Sequence, residues 1–209
     1  MVFEDISDGL DLRIRAIDAY TARNSQNNGL NQEGTFGSIN LIGGTSTTFE
    51  FSLVDANTTD LASVDQVAFS FLDLDGEGVP PYETITISQS SQLVLNSTTS
   101  ITPTFVDGVV RLDTTVAAGA ENNPTSTNLT AGQSTIAASF IFSNTNQFLF
   151  TFSAGTTAGA TNTTGRNILF AGDVIFDDPD PAIPVPEQST TSLLLALFAI
   201  GTRVAFRRR

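Results

Sequence analysis

Asp73, Asp75 and Glu77 stand at alternate positions in Leu72-Asp73-Leu74-Asp75-Gly76-Glu77-Gly78, and Glu83 follows after Val79-Pro80-Pro81-Tyr82. Carboxylates spaced by two, with glycine after the third, place several oxygens on one tight turn. That is the donor set a hard cation such as calcium takes. The same carboxylates could instead cap backbone amides in an acidic turn, or act as a glycosidase acid and base. Calcium held by Asp73, Asp75, Glu77 and Glu83 is the sharper expectation.

The spacing matches the first half of an EF-hand loop, where positions 1, 3 and 5 offer oxygens and position 6 is glycine. Position 12 is Thr84 rather than glutamate, and a strand-like Phe69-Ser70-Phe71 precedes the loop. An EF-hand is therefore excluded, and a calcium loop between strands remains.

What the chain lacks narrows its chemistry. It has no His, Cys or Trp, and all nine of its basic residues are arginine. Zinc, copper, haem and iron–sulfur sites lose their usual ligands. A Ser-His-Asp triad cannot be built, nor can a lysine Schiff base or a Walker loop. No zinc, haem or nucleotide is expected, and no disulfide can brace the fold. Residues 1–182 carry 5 Arg against 21 Asp and Glu, a net of −16, and residues 183–209 carry a net of +3, which together make the −13 of the whole chain. A body this acidic repels phosphates, so nucleic acid is not an expected partner.

The elements that would hold the acidic loop read as strands. Leu10, Leu12, Ile14 and Ala16 alternate with polar residues, as do Phe49, Phe51 and Leu53, and Val67, Phe69 and Phe71. Ile85 and Ile87, Ile136 to Phe142, and Phe148 to Phe152 repeat the pattern. Ile39 with Leu41, Leu93 with Leu95, and Ile168 with Phe170 add shorter runs. Period two is the mark of half-buried strands. Asp107-Gly108 between Phe105-Val106 and Val109-Val110 is a two-residue hairpin signal. About ten such strands with polar turns predict an all-β, two-sheet antiparallel sandwich of jelly-roll type. The 16 phenylalanines follow the inward alternation and are expected to form the core.

Residues 1–176 are expected to form the sandwich and 177–184 an acidic, Pro-rich linker. Thr21–Gly34, Gly119–Gly132 and Gly155–Gly165 read as polar loops, and could share one rim where a ligand binds. Arg166 is one of five arginines in the body, so a buried pair between it and a carboxylate is also expected. The run Phe69-x-Phe71-x-Asp73-x-Asp75, followed later by Arg166-Asn167-x-Leu169-Phe170-Ala171-Gly172, is similar to uncharacterised extracellular bacterial β-sandwich domains.

The last 25 residues have their own logic. Val185-Pro186-Glu187 leads into Gln188-Ser189-Thr190-Thr191-Ser192. An apolar stretch comes next, with Leu193, Leu194, Leu195, Leu197, Phe198 and Ile200, and Arg207, Arg208 and Arg209 close the chain. Arginine is costly in hydrocarbon, so the terminal cluster would stay cytoplasmic and a short apolar helix would act as the membrane anchor. Leu193 to Phe206 is shorter than the roughly 20 residues of a spanning helix, and Arg203 interrupts it. Arg203 lies one turn from Arg207, so both could snorkel to one interface. A C-terminal amphipathic or buried helix is the competing reading. The order of motif, apolar stretch and arginines resembles the PEP-CTERM sorting signal. Gln188 stands where the usual Pro-Glu-Pro has its second proline. The resemblance implies an exported protein, transiently anchored and then processed by an exosortase at the membrane. Export needs an N-terminal leader, and Met1-Val2-Phe3-Glu4-Asp5 is acidic instead; a leader encoded upstream is the expectation.

The function expected is that of a non-enzymatic cell-surface or extracellular-matrix protein that binds polysaccharide. Bacteria with this sorting signal are associated with exopolysaccharide. The alternative is a carbohydrate-active enzyme using paired carboxylates; no catalytic residue is assigned.

Overall fold

Apolar residues at every second position fold this chain into two facing sheets. A computed structural model describes residues 1–7, 9–31, 34–76, 83–116, 123–155, 165–172 and 174–186. Among them the strands are β1 (Val2–Ser7), β2 (Leu10–Ala16), β3 (Gly29–Leu30), β4 (Gly37–Ile42), β5 (Ser46–Asp55), β6 (Val64–Leu72) and β7 (Glu83–Ser88). They continue as β8 (Gln92–Val94), β9 (Ile101–Val106), β10 (Val109–Thr114), β11 (Ala138–Thr145), β12 (Gln147–Ala154), β13 (Gly165–Ala171) and β14 (Ile183–Pro184).

The first sheet has the order β1-β2-β5-β12-β7-β10-β9, and the second β14-β8-β11-β6-β13-β4-β3. Every pairing between these strands is antiparallel. From β5 to β8 the chain alternates between sheets. It then returns to insert β11 between β6 and β8, and β12 between β5 and β7. That is jelly-roll wiring, and the expected all-β sandwich is the observed one.

The core lies between the sheets. Phe51 on β5 meets Phe69 across the gap at 4.9 Å between ring centroids, Phe71 meets Phe150 at 4.6 Å, and Phe142 meets Phe148 at 4.1 Å. Each fully buried phenylalanine contributes roughly 1.5–3 kcal/mol, and each well-placed ring pair about 0.5–1.5 kcal/mol more. The predicted hairpin joins β9 to β10. Asp107 has φ 47° and Gly108 φ 75°, the left-handed pair that a type I′ turn requires.

Four features depart from the sequence expectation. Acidic Val2–Ser7 forms an edge strand, pinned where buried Asp11 accepts from the amides of Asp5 and Asn57, each at 3.0 Å. Ala131–Thr135 is a short helix, α1, begun by a Thr130–Gln133 capping box. The described part of the Gly119–Gly132 loop is not wholly solvated, because Leu129 joins Phe36, Leu72, Leu169, Val174 and Phe176 in a second apolar cluster. Leu72 and Leu169 face away from the main core, so the chain folds over them to keep them dry.

The fourth departure concerns the linker. Residues 177–184 are extended, as proline favours, but they lie along the second sheet rather than free of it. The Ser97 amide donates to Asp178 O at 2.8 Å, Asp180 N donates to Leu95 O at 2.9 Å, and β14 pairs with β8. Val185 then joins the main core at 8% exposure. Alternation stops at Phe176, yet a single apolar side chain and a few main-chain bonds suffice to dock the segment beyond it. The apolar helix expected beyond Ser192 lies outside the described residues.

Candidate functional site

The inward rows of four strands turn polar at one end of the sandwich. On β7 the row is Glu83, Ile85, Ile87; on β10 it is Val110, Leu112, Thr114; on β13 it is Arg166, Ile168, Phe170. β6 ends at Leu72 opposite Leu169 of β13; Asp75 follows three residues beyond that end, and Arg166 stands three residues before Leu169 on β13. The last bonded pair of β10 and β7 is Asp113 with Thr84, so Thr114 and Glu83 are the next step. The end is therefore lined by residues distant in sequence but adjacent in register.

Backbone geometry aims the acidic loop inward. Asp73 takes φ 60°, which turns the chain sharply as it leaves β6. The Leu74 amide then donates to Ile136 O at 2.9 Å, and the fully buried Leu74 side chain anchors the turn in the main core. Gly76 N donates to Val116 O at 3.0 Å, tying the loop to the end of β10.

The electrostatics of this end are unbalanced. Glu83 is 2% exposed, and its Oε2 has no hydrogen-bond partner among the described residues. Its carboxyl is pushed well above the usual range, by burial first and then by the charges of Asp75 and Asp73; Arg166 and the Asp75 backbone amide work the other way. Burial, then the Asp75 charge, pushes the Asp73 carboxyl up to about 7. The Thr114 hydroxyl, 1% exposed, also has no partner among the described residues. Among the described residues, the Asp73, Asp75 and Glu83 carboxyls and the Arg166 guanidinium thus act on one another at this end. Asp113 shows the contrast on the outer face: burial works to raise it, but hydrogen bonds from Arg111 and Thr84 outweigh that and hold it low.

Of the four expected calcium ligands, Asp73, Asp75 and Glu83 lie near enough to feel one another's charge, and Glu77 lies outside the described residues. Arg166, expected to pair with a buried carboxylate, lies near enough to Glu83 for its charge to favour the ionised carboxyl. Sequence reasoning overlooked Thr114, although its place two residues after Leu112 marks it as inward. Among the described residues no three acidic side chains stand close enough to cage a metal by themselves.

Part of the predicted rim belongs to this end. Ile42 N donates to Thr21 O at 3.0 Å, and Gly44 N to Ala154 O at 2.8 Å. Asn40 holds the start of the Thr21–Gly34 loop, accepting from Asn24 N at 2.7 Å and donating to Asn167 Oδ1 at 2.7 Å. The described part of Gly119–Gly132 lies elsewhere, over the second sheet. In the tail, Val185 and Pro186 are placed, with Val185 N donating to Ser91 O at 2.9 Å. Glu187, the anchor residues Leu193 to Ile200 and Arg207 to Arg209 are outside the described residues. No helix among those described is long and apolar enough to cross a membrane.

No known protein-family model matches this sequence, and no curated protein is significantly similar to it.

Proposed function

We propose that this chain is a non-enzymatic surface or matrix protein whose sandwich takes a calcium ion at the Asp73–Asp75–Glu83 end. The observation that carries this reading is the buried Oε2 of Glu83, without a hydrogen-bond partner among the described residues and beside two further carboxyls. An ionised carboxylate in that position is costly unless a cation or a proton neutralises it. With Arg166 the four groups carry a net of −2 when ionised, which a divalent cation balances. Calcium takes six to eight oxygens. Asp73, Asp75 and Glu83 would supply some, the Thr114 hydroxyl another, and Glu77 is the sequence candidate for one more. Export, exosortase processing and transient membrane attachment rest on the resemblance of the tail to the PEP-CTERM signal, and polysaccharide as ligand rests on the same association.

The test is thermal unfolding of the full chain with calcium and with excess EDTA. A ligand at 100 times its dissociation constant adds about 2.7 kcal/mol, and at about 2–4 °C per kcal/mol for a domain of this size the midpoint rises by roughly 5–10 °C. Asp75→Asn should abolish most of that rise. Equal midpoints in protein shown to be metal-free in EDTA would exclude the cation.

One observation favours the enzymatic alternative. A glycosidase acid needs a raised carboxyl, and both Asp73 and Glu83 are raised. Against it, Glu83 and Asp75 are 2% and 8% exposed, which leaves a polymer little access. Release of reducing ends from a polysaccharide, lost in Glu83→Gln, would establish the enzyme instead.

A further inference from the structure

At the opposite end of β7 lies a cleft of about 710 Å³, bordered by Ser88, Gln89, Ser90, Ser91, Ser143 and Asn144. It is the β7–β8 connection facing the β11–β12 turn. Its volume is within the roughly 300–1,000 Å³ of small-ligand sites.

The polar part of the lining has one chemistry. It offers hydroxyls and side-chain amides, and among the described residues no charged one. The Ser90 hydroxyl is 6% exposed and has no hydrogen-bond partner among the described residues. Gln89 and Asn144 are exposed and spend no side-chain hydrogen bond on the described protein. Ser91 is half satisfied, donating to Ile141 O at 2.8 Å with Ser143 Oγ at 3.2 Å. Buried polar groups are normally partnered, so an idle Ser90 hydroxyl under idle amides describes a surface waiting for a polar ligand.

The backbone is bent to present these groups. Gln89 has φ 73° and Asn144 φ 49°, both left-handed and both on this cleft. Asparagine tolerates that region well, but for glutamine it is uncommon, and such strain gathers at ligand sites. Leu149, 37% exposed, together with Val185 and Pro186, gives the cleft an apolar side.

We propose that this cleft binds a neutral saccharide. Amides and hydroxyls match sugar hydroxyls, which both donate and accept, and the Leu149–Pro186 side suits the C–H face of a pyranose ring. An anionic ligand finds no counter-charge in the lining and meets a chain of net charge −13. A cation finds no carboxylate among the described lining residues. The proposal deepens the polysaccharide part of the proposed function, on which it rests, and assigns it to the end of the sandwich away from the carboxylates.

The test titrates the full chain with cellohexaose and maltohexaose as neutral probes and with oligogalacturonate as an anionic one, by calorimetry. Gln89→Gly and Asn144→Gly, singly and together, remove the side chains at positions whose φ glycine adopts freely, so the fold survives. Saturable binding of a neutral probe, weakened at least tenfold in the double variant with an unchanged melting midpoint, is the expected result. Neutral binding that persists in the double variant overturns the cleft assignment but leaves saccharide binding standing elsewhere on the protein. Binding of oligogalacturonate alone, or of no probe, overturns the cleft and the saccharide reading together. Addition of EDTA bears only on the calcium reading.

Discussion

Ending the chain after Asp178 should weaken the sandwich, whereas ending it after Pro186 should not. The segment between them gives the body one nearly buried side chain, Val185, and the half-buried Ile183. Burial of the first contributes about 2 kcal/mol and of the second about 1. Asp180 N to Leu95 O, Val185 N to Ser91 O and the Ile183–Leu93 pairing add main-chain hydrogen bonds, each with a net contribution of about 1 kcal/mol. Ordering the backbone opposes this by about 1 kcal/mol for each of Asp180, Ala182, Ile183 and Val185. Pro179, Pro181, Pro184 and Pro186 add little to that cost, because their unfolded chain is already restricted. The balance is about 2 kcal/mol in favour of docking. With a urea slope of about 2 kcal/mol per molar, the chain ending at Asp178 should unfold about 1 M earlier than the chain ending at Pro186. Circular dichroism during urea titration reads both midpoints. Val185→Ala in the longer chain should recover part of the difference. Coincident midpoints for the two truncated chains would show that the strap contributes nothing and that the body ends at Phe176.

Other perturbations draw on the same geometry. In metal-free protein the Asp73 carboxyl, folded at about 7 against an ordinary 3.8, contributes stability below its unfolded value that is lost as pH rises through its folded one. The urea midpoint in EDTA should therefore fall between about pH 4 and pH 7, and Asp73→Asn should flatten that fall; a midpoint that rises across this window contradicts the raised carboxyl. Gly37→Ala would set a Cβ 2.1 Å from Phe170 Cε2 in the packed core, a cost of at least about 1–3 kcal/mol. Gly172→Ala meets open space, so it should leave the melting midpoint nearly unchanged and serves as the control. Replacing Arg207, Arg208 and Arg209 by alanine should shift the full chain from the membrane to the soluble fraction if the tail anchors as its charge order implies; unchanged fractionation speaks against that role.

Much of the sandwich was legible because alternation is a local property. Phe49, Phe51 and Leu53 must share a face whatever they pack against, and Asp107-Gly108 must turn because two successive left-handed residues reverse a strand pair. The site was legible only in part. Asp73 and Asp75 are close in sequence and were read together, and Glu83 came with them from its nearness along the chain. Nothing local says that Arg166, about eighty residues further along, comes near enough to Glu83 for its charge to act there, because that depends on how the two sheets close on each other.

Composition by itself decided that this protein works with carboxylates, hydroxyls and amides, because no His, Cys or Lys is present to do otherwise. Period two decided which side chains point inward, and so that Glu83 and Thr114 would share the inward rows of isoleucine and leucine on their strands. The tertiary structure decided what those inward groups meet. Closure of two sheets brings strand ends together across long loops, and only then do three carboxyls lose water and press on one another. The same closure left Leu72 and Leu169 facing out, which drew Leu129 and Phe176 over them, and left β8 free to pair with β14, which carries Val185 into the core. Burial is a property of the assembled fold, and the sequence carries the tendency of each residue without the partner that fulfils it.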